Sequence, residues 1–423
     1  MGTRGVPQLP TAQPGSAGGQ NSNMAIAINA ALVAAGAWFN VTNYASLSAA
    51  LADISSNGGG VLYIPGGTTV SVSSSFTPPA NTWIVGDGES SIIAQSTTGS
   101  ITIANSNAHC GYLNFAINYT SQGTGPGGNN PTTGGIAIYS TAWPIHIDNV
   151  RINNAYIGVE LNNTNIQVMN NLWIQDPTYA GVFCNAGQVN MTATNCSVIQ
   201  STAGVLCSQA GWYFWGFNQG HSMVNCTCYG AAGRGFWARS STGSSGQNVN
   251  LNFNHMIDCW FDSTTLDACW IDYSYSNSFI CNEYSGGRGS PGGHGFVLAG
   301  GDANSIIGCQ FQGSGNSGLL LGSSHPVHTT ITGNQCIGNN VNAGSQYGIY
   351  VSAGVTDFSI TNNVCGSSQS TGAFFGTQTN PIFVATGASN RYIITGNLIT
   401  GDNTNNTVSD GGSGGSKQVT SNF

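Results

Sequence analysis

Apolar and polar positions alternate with a period of two over short stretches of the chain, and one phrase returns at a nearly regular spacing. The phrase is a glycine followed by an apolar, a variable and an apolar residue. It occurs at Gly135, Gly158, Gly181, Gly204, Gly235, Gly295, Gly318 and Gly348, and Ala268 fills the one gap. Alternation with period two is typical of β-strands. A unit this short cannot bury a core alone, so the pattern predicts units that stack.

A second column of residues precedes most of these phrases by nine or ten positions. It consists of asparagine or a substitute: Asn149, Asn171, Asn195, Asn225, Asp258 and, less regularly, Asn334, Asn363 and Asn397. Two columns in register favour a parallel β-helix, in which successive coils hydrogen-bond at about 4.8 Å and asparagines stack at the turns. The first and third residues after each glycine should then point inward.

The residues before the repeats carry a family resemblance. Residues 44–53, the stretch from Gly58 to Gly66 and the stretch from Trp83 to Gly88 resemble the opening of the pectate-lyase-like superfamily. The resemblance implies an all-β fold, a single-stranded right-handed parallel β-helix. It also implies a short N-terminal capping helix and a first core strand in Gly-Gly-Val-Leu-Tyr-Ile-Pro. The superfamily includes lyases, hydrolases, epimerases and bacteriophage tailspikes, so the resemblance does not select one activity.

The two ends of the chain differ in composition from the repeats. Residues 1–23 are rich in Gly, Pro, Gln and Ser, and residues 411–416 form a Gly/Ser stretch typical of a flexible linker. We predict an N-terminal arm over 1–40, about twelve coils of β-helix over 41–402 and a Gly/Ser-rich tail over 403–423. The arm is either disordered or a segment that attaches to a larger assembly.

Charge restricts the partners. The chain has 7 Lys+Arg, of which one is lysine, and 15 Asp+Glu, which gives a net charge of −8. So few cations cannot neutralise a row of phosphates, and we expect no nucleic-acid binding. The longest apolar stretch, residues 24–39, is too short to span a bilayer, so we expect no membrane insertion. A neutral or weakly charged polysaccharide fits this composition better.

Twelve cysteines are spread between Cys110 and Cys365, and no stretch has the form of a secretion signal. We therefore expect mostly buried thiols and assembly in a reducing cytoplasm. Cys226 and Cys228 lack the spacing of a zinc site, so neither a metal nor another cofactor is predicted.

The acidic residues cluster in one part of the sequence. Asp258, Asp262, Asp267, Asp272 and Glu283 provide five of the 15 acids within 26 positions. Glycoside cleavage uses two carboxyl groups roughly 5 to 9.5 Å apart. Side chains on adjacent coils would stand about 4.8 Å apart, so these five residues are candidate catalytic groups of a polysaccharide lyase or glycoside hydrolase.

The position just before the repeat glycine reads Arg234, Asp267 and His294 on three successive coils. We expect a column in which Arg234 holds Asp267 and Asp267 orients His294, and all three are catalytic candidates. An ion pair at a turn would give the same pattern. Gly293-His-Gly295 is similar to a polygalacturonase motif. The paired aspartates of those enzymes are absent, however, and the calcium ligands and catalytic arginine of pectate lyases have no match.

The second residue after each glycine should face outward, yet this column is mostly apolar. It reads Glu160, Phe183, Leu206, Trp237, Trp270, Val297, Leu320 and Tyr350. An outward apolar column of this length is typical of a covered or interacting surface. Insertions could cover it, sugar rings could stack on its tryptophans, or identical chains could pack around a threefold axis. We favour the last, which makes the seven residues from Phe183 to Tyr350 a homotrimer interface.

The insertion between Gly204 and Gly235 contains five aromatic residues in the stretch 212–217. We interpret it as a loop that covers the column or holds glycan. The predicted carbohydrate-binding residues are Trp212, Tyr213, Trp215, Trp237 and Trp270.

Together these features lead to one leading hypothesis for the function. We expect a bacteriophage spike, fibre or decoration protein on the virion surface, joined to other virion proteins by its N-terminal arm, which contacts host surface polysaccharide. One alternative is an extracellular polysaccharide-degrading enzyme. The other is a purely structural decoration protein.

Overall fold

The chain is described by a computed structural model over residues 38–128, 131, 133–185, 187–201, 207–231, 233–240, 251–263, 265–287, 292–342, 344–367, 376–401 and 403–423. These residues form a right-handed parallel β-helix of about 13 turns with 41 strands, as the sequence predicted. Every strand pair whose register is given is parallel, and the apolar core runs along the inside of the coil. Most of the predicted N-terminal arm, residues 1–37, lies outside the described residues.

One α-helix, Leu47–Ser56, covers the open N-terminal end in the described part of the chain. Ser46 begins it as an N-cap, because its hydroxyl accepts from the Ala49 backbone N–H. Its apolar face buries Ala50, Leu51 and Ile54, so the helix seals the core as the resemblance implied. The 3-10 turn Val41–Asn43 precedes it.

The strand Gly60–Ile64 is not the first of its sheet. Trp38–Asn40 precedes it and pairs with it, Trp38 lying opposite Val61. Residues 38–40 therefore belong to the β-helix rather than to the predicted arm.

The strands stack into three sheets that each coil visits in turn. The first sheet, which carries the glycine phrase, contains Ile103–Asn105, Ile136–Ser140, Ile157–Asn162, Ala180–Asn185, Ala210–Trp215, Arg234–Arg239, Cys269–Ile271, Phe296–Asp302, Leu319–Val327, Tyr347–Val351, Asn380–Gly387 and Val408–Gly412. The second contains Trp38–Asn40, Gly60–Ile64, Thr82–Gly86, Cys110–Tyr119, Ile145–Asn153, Asn165–Asn170, Gln188–Thr194, Ser222–Val224, His255–Ile257, Ser278–Ile280, Ser305–Ile307, Thr329–Thr332, Phe358–Thr361, Tyr392–Thr395 and Lys417–Thr420.

The third sheet takes the C-terminal halves of Cys110–Tyr119 and Ile145–Asn153. Its other strands are Thr69–Val72, Ile92–Gln95, Trp173–Gln175, Ser197–Ile199, Thr227–Ala231, Trp260–Ser263, Glu283–Ser285, Gln310–Gln312, Gln335–Ile337, Val364–Gly366 and Leu398–Thr400. Three short strands lie between the first and second sheets: Asn218–Gln219, Leu251–Asn252 and Ser274–Tyr275.

The inward positions of the first sheet follow the predicted alternation, but one coil was assigned to the wrong residues. Phe296 and Leu298, the first and third residues after Gly295, are wholly buried. Val182, however, pairs with Trp212, so the strand of the next coil is Ala210–Trp215 and not the stretch after Gly204. Both stretches fit the same phrase, and periodicity could not distinguish them.

The predicted asparagine column is two columns, one residue apart. Asn149, Asn171, Asn195, Asn225 and Asp258 share a left-handed backbone with φ between 50° and 54° at the turn from the second to the third sheet. Asparagine and aspartate tolerate this conformation better than other non-glycine residues. The later members of the predicted column lie one position further along the chain.

These later members, Asn334, Asn363 and Asn397, point inward and are wholly buried. The Asn363 side-chain oxygen accepts from the Asn334 backbone N–H at 2.9 Å, and Asn397 does the same for Asn363 at 2.9 Å. Asn422 extends this amide ladder by one coil. Each buried amide thus satisfies the backbone of the preceding coil.

The predicted C-terminal tail is the last coil of the helix. Val408–Gly412 pairs with Asn380–Gly387, and Lys417–Thr420 pairs with Tyr392–Thr395. Glycine is needed here for close packing, since a β-carbon at Gly412 would collide with the Tyr392 hydroxyl. The predicted boundary at 402 therefore does not hold, because a composition typical of linkers here serves close packing between coils.

Eleven of the twelve cysteines are buried free thiols and Cys281 is exposed. Within the described residues, no helix is both long enough and apolar enough to cross a membrane.

Candidate functional site

The outward column of the first sheet is longer and more aromatic than predicted. On successive coils it reads Tyr139, Glu160, Phe183, Tyr213, Trp237, Trp270, Val297, Leu320, Tyr350 and Phe383. Tyr213 takes the position predicted for Leu206, which itself lies outside the described residues. The other predicted members lie where the register placed them.

Part of this column is covered by the chain itself. Phe183 and Tyr213 are wholly buried although they point away from the core. They pack with Tyr156 and Tyr179, and Tyr179 donates from its hydroxyl to the Gly128 carbonyl at 2.8 Å. The loop that contains Gly128 therefore folds over this end, whereas Trp237, Trp270, Leu320 and Tyr350 are half-buried.

Further along the sheet, two arginines lie against three tryptophans. We call Trp215, Trp237, Trp270, Arg234 and Arg239 the aromatic–arginine cluster. The Arg234 guanidinium carbon lies 4.2 Å from the Trp237 ring centre and 4.8 Å from that of Trp270. The Arg239 carbon lies 4.6 Å from Trp237 and 5.3 Å from Trp215. Cation–π contacts of this kind hold the five side chains in fixed positions.

Two aspartates flank the strand that carries Trp270. Asp267 accepts from Arg234 Nε at 3.2 Å, and the side chains of this ion pair are only 7% and 16% exposed respectively. Asp272 accepts from Trp270 Nε1 at 2.6 Å and from the Ser240 backbone N–H at 2.9 Å. The carboxylates thus balance the arginines and orient Trp270.

The predicted column of Arg234, Asp267 and His294 does come together, with one difference. Asp267 Oδ1 accepts from the His294 backbone N–H at 2.9 Å, so in this structure Asp267 bonds the backbone of His294 and not its imidazole. His294 Nδ1 is buried without a hydrogen-bond partner. Burial lowers the pKa of His294, which favours a neutral imidazole.

The other three candidate acids lie elsewhere on the coil. Asp258 is an exposed residue of the left-handed turn, with φ 53°. Asp262 and Glu283 lie on the outer face of the third sheet, where Glu283 accepts from Gln312 Nε2 at 2.6 Å. The stretch from Asp258 to Glu283 makes roughly one full turn of the helix, so acids close in sequence are distributed around its circumference.

Two predicted carbohydrate-binding residues are inaccessible. Trp212 points into the core, is wholly buried and donates from Nε1 to the Thr227 carbonyl at 3.2 Å. Tyr213 is wholly buried between the stacked rings of Phe183 at 5.0 Å and Trp237 at 5.2 Å. The stretch 210–215 is a core strand and not a covering loop, so Trp215, Trp237 and Trp270 remain as candidates.

Sequence reasoning gave no role to Glu160, the only acid in the outward column. Its side chain is wholly buried, Oε1 accepts from Asn185 Nδ2 at 3.2 Å, and Oε2 has no partner. Burial raises the pKa of Glu160 to about 8. The sequence feature that could have identified Glu160 is its position as a single carboxyl in an otherwise apolar column.

The profile of a family described as periplasmic copper-binding protein (NosD) matches residues 238–405. A copper site requires several ligands that converge on one point. In the described part of the chain, no group of three or more His, Cys, Asp or Glu side chains could hold a metal ion. The residues that the structure describes therefore do not fit a copper site.

Several solved structures share the fold. Tailspike protein 3 of bacteriophage CBA120 is 14% identical with a TM-score of 0.58, over 88% of this chain and 59% of that one. This chain therefore spans about three fifths of the tailspike. The A-module of the mannuronan C-5 epimerase AlgE6 of Azotobacter vinelandii is 15% identical with a TM-score of 0.55, over 91% and 98%.

A third structure is a mutant of DFA-IIIase from Arthrobacter chlorophenolicus A6 in complex with DFA-III. It is 13% identical with a TM-score of 0.54, over 91% of this chain and 98% of that one. No curated protein sequence matches the chain significantly. The likeness to these three structures shows the fold of the chain, a right-handed parallel β-helix.

Proposed function

We propose that the chain is a polysaccharide-binding β-helix and that the aromatic–arginine cluster is its glycan contact. The observation that carries this proposal is the preorganised arrangement of three tryptophans, two arginines and two carboxylates on one outer face. Indole rings offer apolar surface to the C–H groups of a sugar. Fixed carboxylate and guanidinium groups offer acceptors and donors to its hydroxyls.

Charge indicates the kind of glycan. Arg234 and Arg239 carry two positive charges, and Asp267 and Asp272 carry two negative charges at neutral pH. The sum is zero, so the cluster suits a neutral or weakly charged polysaccharide. A cluster without net charge attracts a highly anionic polymer more weakly than a positively charged surface does.

The biological setting we propose is the surface of a bacteriophage virion. A tailspike has the same fold over most of this chain, and the two other neighbours are a mannuronan C-5 epimerase module and a DFA-IIIase mutant in complex with DFA-III. In this proposal three copies form the spike, and the N-terminal residues attach it to other virion proteins. The half-buried Leu320 and Tyr350, beyond the cluster in the outward column, lie at the subunit contacts, whereas Val297 is already buried within the chain. Light scattering tests the trimer, and a monomer at micromolar concentration would contradict it.

Calorimetric titration with host surface polysaccharides tests the glycan contact. We expect Trp270→Ala to weaken binding by about tenfold or more, because it removes a ring that Arg234 and Asp272 hold in place. Trp173→Ala is the matched control, since Trp173 is 40% exposed on the third sheet and an arginine also lies over its ring. Unchanged binding in Trp237→Ala, Trp270→Ala and Arg239→Ala alike would overturn the proposal.

A catalytic role is the second candidate, and one observation favours it. His294 presents a buried, unpartnered Nδ1 beside the Arg234–Asp267 pair, an arrangement that could accept a proton from a bound sugar. Incubation with each bound polysaccharide should then release new reducing ends or unsaturated products. Loss of product with retained binding in Asp267→Asn and His294→Gln would support this role. Binding without product in the wild type would exclude it for that polysaccharide.

A further inference from the structure

A left-handed turn joins the first and second sheets, and one coil places phenylalanine there. The turn position reads Asn190, Gly220, Phe253, Ser276 and Ala303 on successive coils, with φ between 52° and 68°. Asparagine and glycine adopt this conformation readily. A bulky aromatic residue does so rarely, because its β-carbon crowds the backbone.

Phe253 gains little burial in return for this strained backbone. Its side chain is 54% exposed, and its ring meets that of Tyr275 edge to face, with centroids 6.0 Å apart and planes at 78°. Tyr275 is itself 39% exposed. A strained residue that does not contribute to the core is a candidate for function.

The pair lies on two of the three coils that carry the aromatic–arginine cluster. Phe253 follows the strand of Trp237 along one coil, and Tyr275 follows Trp270 by five residues along the next. Five extended residues span at most about 18 Å. Asp272, which orients Trp270, lies between Trp270 and Tyr275 in the sequence.

We propose that Phe253 and Tyr275 form a second glycan contact, which binds a further pyranose ring of the same polysaccharide chain. Two nearly perpendicular rings make an apolar corner, and a sugar can place its C–H groups against both walls. This inference rests on the proposed function of the cluster and adds the direction in which the glycan runs: along the coils, from the first sheet towards the second.

Ile166 provides the internal comparison. It occupies the same turn three coils earlier, with φ 55°, and is 48% exposed. Its side chain is aliphatic and has no flat face for a sugar. Ile166 therefore shares the backbone conformation of Phe253 without the proposed contact.

The test uses Phe253→Asn in the full chain, because Asn190 shows that asparagine fits this turn. The probes are the polysaccharide that the wild type retains from a panel of capsular and O-antigen polysaccharides, and its disaccharide fragment. We expect an unchanged or higher thermal midpoint, at least about fivefold weaker polysaccharide binding and unchanged disaccharide binding at the cluster. Ile166→Asn, the matched control, should change the midpoint in the same direction and leave both affinities unchanged.

The outcomes separate this inference from the proposed function. Wild-type binding together with full polysaccharide affinity in both Phe253→Asn and Tyr275→Ala would overturn the second contact and leave the cluster in place. A lower midpoint in Phe253→Asn would overturn the strain argument. No wild-type binding to any member of the panel would overturn the proposed function itself, and this inference with it.

Discussion

Two sets of buried polar groups in this protein differ in their hydrogen bonding. Inside the coil, Asn334, Asn363 and Asn397 repeat one hydrogen-bonding pattern, and each satisfies the backbone of the coil before it. By contrast, Glu160 in the outward column of the first sheet and His294 beside the Arg234–Asp267 pair each keep a buried atom without a partner. A hydrogen-bonding pattern that repeats from coil to coil, with its backbone groups paired, reflects what the fold requires. A buried polar atom without a partner marks a side chain that the fold does not require.

The largest effect should come from breaking the interior pattern. Asn363→Ala removes the side-chain hydrogen-bond partner of the Asn334 N–H and of the Ile331 carbonyl, and it leaves the Asn397 side-chain oxygen with one donor, the residue 363 backbone N–H, in place of two. Each buried orphan costs about 1–3 kcal/mol, so we expect a loss of about 4 kcal/mol in the free energy of unfolding. Urea denaturation measures it. Asn225→Gly, at an exposed left-handed turn, is the control and should lose less than about 1 kcal/mol.

An Asn363→Ala protein as stable as the wild type would mean that the buried asparagine ladder does not stabilise the fold. The substitution lies on the inner face, remote from the aromatic–arginine cluster. Glycan binding by the folded fraction should therefore be unchanged.

The next effect concerns the exterior and depends on pH. Burial raises the pKa of Glu160 from 4.5 to about 8 in the folded protein. The unfolded chain therefore releases its proton first as pH rises, and stability is lost between about pH 4.5 and 8. Glu160→Gln removes this loss, so we expect equal stability below pH 4.5 and a gain of about 4 kcal/mol near pH 8. Thermal unfolding from pH 4 to 9 measures the difference.

The control for this experiment is Glu89→Gln. Glu89 forms a surface ion pair with Arg151 and its side chain is 69% exposed. A pair of this kind contributes about 1 kcal/mol or less. If Glu160→Gln showed no gain at pH 8, the carboxyl would have to be ionised and solvated in the folded state.

Much of the fold could be predicted because it repeats. The regular spacing of the glycine phrase and the alternation within it placed Phe296 and Leu298 inside and Trp270 outside, as observed. The prediction was wrong where two stretches fitted one phrase, as at Gly204 and Ala210–Trp215. It was also wrong at residues 403–423, because glycine and serine serve close packing as readily as flexibility.

Less of the candidate site could be predicted, because it depends on side-chain direction. The register placed Arg234 beside Asp267, but it did not show that Asp267 bonds the His294 backbone. Arg234 and Arg239 both lie over the Trp237 ring. Their sequence positions do not reveal this shared contact, because it depends on the directions of their side chains in the folded structure. The clustering of acids in the sequence also made Asp258 a catalytic candidate, although it lies at an exposed turn away from the aromatic–arginine cluster.

The smallest effect should follow from changing Asp258. Asp258 was a catalytic candidate because acids are rare and five of them cluster around it. The structure places it at the left-handed turn that asparagine occupies on the four preceding coils. Asp258→Asn should thus change the free energy of unfolding by less than about 0.5 kcal/mol and leave glycan binding and any product formation unchanged. Urea denaturation and the titration described above check both. A clear loss of binding or product would mean that Asp258, which repeats the left-handed turn of the preceding coils, also acts in the candidate site. A repeated position could then no longer be taken as purely structural.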